Sequence, residues 1–112
     1  MEASRYLLRE KLSELMEECG EEPRLYFQPP ESVHLEYPCI IYHLKRLDKR
    51  NANNHPYFKT ISFDITYITR DPTSTVPMRF EDEPLFMFDR YYTAENLHHY
   101  SYTYTNTVKK GS

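Results

Sequence analysis

Between Tyr57 and Pro72 the chain reads YFKTISFDITYITRDP. Ile61, Phe63, Ile65 and Tyr67 alternate with Thr60, Ser62, Asp64 and Thr66. A period of two sends one set to a buried face and the other toward water. β-Branched and aromatic residues suit such a half-buried pleated surface. Arg70-Asp71-Pro72 ends the run, because proline cannot donate to a ladder and pushes its predecessor out of helical geometry. Residues 58–69 are therefore the expected central strand of an antiparallel sheet.

The other segments arrange themselves around that strand. In 3–19, Leu8, Leu12, Leu15, Met16 and Cys19 form one apolar stripe at helical spacing, with Ser4 as N-cap and Gly20 placed for a left-handed C-cap. Residues 24–28 read as a short strand stopped by Pro29-Pro30, and 29–37 as a stiff loop. Within 38–47, Ile40, Tyr42 and Leu44 alternate with Cys39, Ile41, His43 and Lys45, a strand partly apolar on both faces. The polar segment 48–57 reads as a ten-residue loop joining this strand to the central one in a wide hairpin. A short helix is expected near 75–83, with Pro77 in its first turn. Residues 85–92 and 98–108 are two more strands, joined by the five-residue connection 93–97, and 109–112 is a fraying tail. Helix, short strand, strand pair, short helix and strand pair make a single α+β domain over 1–112, with helices packed on one face of an antiparallel sheet.

Composition adds little to this but excludes some classes. A chain of 112 residues supports one modest core. The net charge is −3, and the largest basic cluster in sequence, Lys45–Arg50, is broken by Leu47 and Asp48, which weighs against a dedicated nucleic-acid binder. No stretch approaches a membrane span and the N-terminus lacks a signal-peptide hydrophobic region. Cys19 and Cys39 are too sparse for a disulfide framework and are expected to be reduced, in a cytoplasm-like environment. The eleven tyrosines combine apolar area with a polar tip, which suits both a half-buried sheet and an assembly interface.

Candidate chemistry is thin. Adjacent His98 and His99 on a strand point to opposite faces and cannot share one metal, and no CxxC, HxH or HExxH spacing exists. Cys39 and His43 at i, i+4 on a strand lie about 13 Å apart, beyond the reach of a nucleophile–base pair. The only glycines are Gly20 and Gly111, so there is no phosphate-cradling loop. Tyr100, Tyr102 and Tyr104 offer a stacking platform for single-stranded nucleic acid, but no arginines accompany them. The expectation is a protein without catalytic residues, metal or cofactor.

Four strings in order carry a resemblance: PPESVHLEYPCIIY (29–42), NNHPY (53–57), ITRDP (68–72) and FDRYYTAENLHHYSYTY (88–104). Together they resemble the small tail-terminator proteins of long-tailed phages, within the group of tail-completion and head–tail joining proteins, over roughly 24–105. The resemblance implies an α+β subunit assembled as a ring, expected to be a hexamer, that caps the tail tube, stops its growth and forms the docking surface for the filled head. Its partners would be itself, the tail tube protein and a head-completion or stopper protein. DNA would pass through the lumen without specific binding, which the acidic balance suits. The protein would be a structural part of the virion tail or neck, assembled in the host cytoplasm, with no membrane contact. Alternatives are another neck connector, such as a stopper, or a small single-stranded nucleic-acid-binding module.

Subunit contacts are expected at two places. One is the 48–57 loop with Asn53, Asn54, His55 and Tyr57, too long for a simple turn. The other is the hairpin end with Asp89, Arg90, Tyr92, Asn96 and His98, where turn formation needs only small residues. Arg70, beside Asp71-Pro72, joins these candidates, and Arg90 is the sharpest of them because a guanidinium can make paired hydrogen bonds across an interface.

Overall fold

The alternation of the central strand is realised over its whole length. The computed structural model describes the backbone of residues 2–52 and 55–110 and the side chains of 5–48 and 59–107. Its elements are α1 (Glu2–Glu18), β1 (Leu25–Phe27), β2 (Cys39–Ala52), β3 (His55–Thr69), α2 (Val76–Glu81), β4 (Phe86–Ala94) and β5 (Leu97–Lys110). The five strands form one sheet in the order β1-β2-β3-β5-β4. All neighbours are antiparallel except β1, which runs parallel to β2.

Both helices lie on one face. Leu8, Leu12, Leu15 and Met16 of α1, with Val76 and Phe80 of α2, are fully buried against Ile40 and Tyr42 of β2 and Ile61, Phe63, Ile65 and Tyr67 of β3. Cross-strand register carries the same face into β5, pairing Phe63 with Tyr104, Ile65 with Tyr102 and Tyr67 with Tyr100. Tyr102 and Tyr104 are consequently core residues, only 3% and 8% exposed. They cannot serve as a stacking platform for bases. The opposite face is polar at its centre, where hydroxyl pairs Thr60–Thr107, Ser62–Thr105 and Thr66–Ser101 span β3 and β5. At one end of that face a small second cluster forms from Cys39, Ile68 and Leu97.

Helix α1 ends in a Schellman motif, with Gly20 at φ +77°, its N–H bonded to the Glu17 carbonyl and the Glu21 N–H bonded to that of Met16. The reversal brings Glu21 to the end of β3, where the Tyr67 hydroxyl donates to its carboxylate at 2.7 Å and lies 2.7 Å from Ser74 Oγ. One hydroxyl therefore ties the helix exit, the central strand and the approach to α2. Between the helices, Lys11 and Arg79 both hold Glu83, at 2.8 and 2.9 Å, and Arg79 also holds Glu18.

Three sequence expectations are corrected. The segment 48–57 is not a ten-residue loop: β2 runs to Ala52, which pairs with His55, leaving only Asn53 and Asn54 between the strands and outside the described residues. The 109–112 tail does not fray from its start, since Lys109 and Lys110 pair with Phe58 and Tyr57. Polar sequence concealed both extensions, because ladder hydrogen bonds form between backbones and need no apolar period. The 93–97 connection is likewise a two-residue turn at Glu95-Asn96, with φ +53° and +65°.

Positive φ at both central residues defines a type I′ turn, which favours Asn and Gly and disfavours Glu. Glu95→Asn should therefore raise stability by about 0.5–1 kcal/mol, read from the urea midpoint. An unchanged or lowered midpoint would show that Glu95 carries no such strain.

Candidate interface on the edge strand

One edge of the sheet is β4, and it is bare. Only Phe86 of its nine residues is buried. Phe88 (57% exposed), Met87, Tyr91 and Tyr92 all open to solvent, as does Leu85 just before the strand. A bulge between Phe88 and Arg90 leaves Asp89 unpaired. The extra residue keeps Phe86, Phe88 and Tyr91 on the helix-covered face, because their partners are the buried Tyr104 and Tyr102 and the half-buried Tyr100.

The exposed rings continue the core rather than standing apart from it. Phe80 stacks on Tyr102 at 4.3 Å, Phe88 meets the same ring edge-on at 5.7 Å, and Tyr91 lies 4.9 Å from Tyr100. Such a rim has the character of a core cut open, as in obligate subunit interfaces. A long, apolar, unpaired edge is also what soluble monomers avoid.

The expected contact residues fall into two separated groups. Asp89, Arg90 and Tyr92 lie on β4 and His98 on β5, with Arg70 just past the Thr69–His98 pair. The Arg90 guanidinium sits 5.1 Å over the Tyr92 ring and that of Arg70 sits 5.2 Å over Tyr37. His98 and His99 diverge, His98 Nδ1 lying 2.7 Å from the Tyr91 hydroxyl and His99 stacking on Tyr92 at 4.6 Å. Asn96 has a local duty as the second residue of the turn. His55 and Tyr57 are instead at the far end of β3. At the usual strand rise, His55 is about 46 Å from Thr69, so the two groups cannot form one patch. Asn53 and Asn54 lie outside the described residues.

Sequence reading missed Phe88 and Met87. LFMFDRYY reads as an ordinary buried strand, and the one signal of a bulged edge is the charged Asp89-Arg90 pair in mid-run. It also missed an open cleft of about 650 Å³ between the 33–37 loop and Arg70. Arg24, which lines it, is already matched by Glu22 at 3.0 Å and Glu36 at 3.6 Å. Among the described residues no three His, Cys, Asp or Glu side chains gather where they could hold a metal, and no helix is long and apolar enough to cross a membrane. Comparison with protein-family models and with curated proteins returns no match.

Proposed function

We propose that the protein is a structural ring subunit of the tail-terminator type, closing the tail tube of a long-tailed phage and presenting the surface on which the head docks. The exposed aromatic rim of β4 carries this reading, since it is an unsatisfied core surface along a free sheet edge. The α+β fold agrees with the subunit that the sequence resemblance implies. Contact candidates at two ends of one sheet suit a head-to-tail arrangement, in which each subunit meets two neighbours through different surfaces and the rotation closes a ring. The partners are then further copies of the chain, the tube protein on one side and a head-completion protein on the other. The role is assembly without turnover, in the virion neck.

Imaging the purified protein alone and with assembled tail tubes tests the reading. Rings with a central opening should form, and they should seat on one end of the tubes. Binding to the head portal instead would identify a stopper, and a monomer that leaves tubes uncapped would refute both. Arg90→Glu should abolish rings and capping while the thermal midpoint stays within a few degrees, because Arg90 is exposed beside Tyr92 on the face away from the helices. Normal tail length and head joining with Arg90→Glu would remove Arg90 from the interface.

A further inference from the structure

Charge is sorted along the sheet in a way that the net value of −3 hides. Residues 45–59 and 109–110 hold seven of the fourteen Lys and Arg but one of the seventeen Asp and Glu, so this part carries +6 and the remainder −9. The fold brings those segments together. Lys49 is directly opposite Lys59, and Arg50 and Lys109 both flank Phe58 in the ladder. Three strands that are unremarkable in sequence thus build one cationic end of the sheet.

The acidic counterpart is on α1. Glu10, Glu14 and Glu17 line its exposed surface and enter none of the ion pairs found among the described residues. Each feature is unfavourable in an isolated subunit. Like charges directly opposite in an antiparallel pair repel, and so do glutamates spaced i, i+4 on a helix. Among the described residues no ion pair joins the two sets. The C-terminal turn of α1 leads into Glu21, which binds Tyr67, and Lys59 lies eight residues along β3 from Tyr67, about 27 Å away. That is several Debye lengths at physiological ionic strength.

We infer that the cationic end of the β2–β3–β5 sheet docks on the acidic outer face of α1 in a second copy of this chain, giving the ring its head-to-tail direction. The inference rests on the ring reading and supplies the charge contact beside the apolar β4 rim. Charge complementarity selects the second copy as occupant: the donor and acceptor surfaces belong to the same molecule, have opposite sign and are held apart.

A charge swap in the full-length protein tests it, read by light scattering. Lys49→Glu/Lys59→Glu and Glu14→Lys/Glu17→Lys should each weaken ring assembly by at least about tenfold. Mixed in equal amounts they should restore a ring, because reversed arms then face reversed helices at alternate contacts. The neutral pair Lys49→Gln/Lys59→Gln should weaken assembly less, and covers the case in which a reversed variant does not fold. Wild-type rings should also loosen as salt rises. Unchanged rings in both reversed variants would overturn the inference while leaving the ring reading intact. So would a folded mixture that stays dissociated. If the arm variant kept its ring but lost salt-sensitive retention of a DNA duplex, the cationic end would be a nucleic-acid contact and the inference would fail. Wild-type protein that is monomeric at every salt concentration would end the ring reading itself.

Discussion

Phe63→Ala is expected to destabilise the fold by roughly 3–5 kcal/mol, the range for removing a fully buried aromatic ring. Phe63 is 1% exposed at the centre of β3, the middle strand of the sheet. Its ring lies 6.5 Å from both Phe27 and Tyr104, so it joins β1, β3 and β5 across the helix-covered face. Little can collapse into the space, because ladders fix its strand on both sides. A domain of this size has only about 5–15 kcal/mol in total, so the variant should unfold at a much lower urea concentration or fail to fold at physiological temperature. A loss below about 1 kcal/mol would mean that Phe63 is not a core residue and that the register of β3 is wrong.

Alkaline pH should be the second severe perturbation. Burial raises the pKa of Tyr67 and Tyr102 well above the ordinary value of 10.0 and raises Tyr100 and Tyr104 in the same direction. Burial also pushes the Cys39 thiol up to about 11, against the pull of Arg24. A neutral group whose pKa is raised by folding contributes stability that is complete below its unfolded pKa and is lost as pH climbs through the folded one. Stability should therefore hold to about pH 9 and then fall through the range of the unfolded thiol and phenols. Each unit is worth about 1.4 kcal/mol, so one unit at each of three groups is about 4 kcal/mol, a large part of the total. The phenolate absorbance of Tyr67 and Tyr102 should rise abruptly with unfolding. Phenolate formation at Tyr67 and Tyr102 with the fold intact would refute this.

What the sequence displays is the part of the fold governed by one covered face. The Ile61–Tyr67 alternation and the Leu8–Met16 stripe are direct images of burial, and both faces were legible residue by residue. Pro77 in the first turn of a short helix was legible from proline chemistry, and Gly20 from the need for positive φ. The polar ends of β2, β3 and β5 were not, because a polar segment that pairs through its backbone leaves no periodic trace. Nor was the rim of β4. An apolar run states that its rings are to be covered, but whether by the same chain or another depends on strand order, which is a property of the whole sheet. The cationic end was hidden for the same reason, being assembled from residues as far apart as Lys49 and Lys109.

The bulge at Asp89 decides which side of the sheet each residue from Arg90 to Ala94 faces. Closing the bulge with every residue kept would set Asp89 opposite Ser101 and turn every side chain from Arg90 to Ala94 to the other side. Arg90 would come to lie among the tyrosines and Tyr91 would leave them, while the helices and β1–β3 remained untouched. A related chain lacking the residue at 89 should therefore keep the rim, because Phe88, Arg90 and Tyr91 would then alternate regularly against Tyr102, Ser101 and Tyr100.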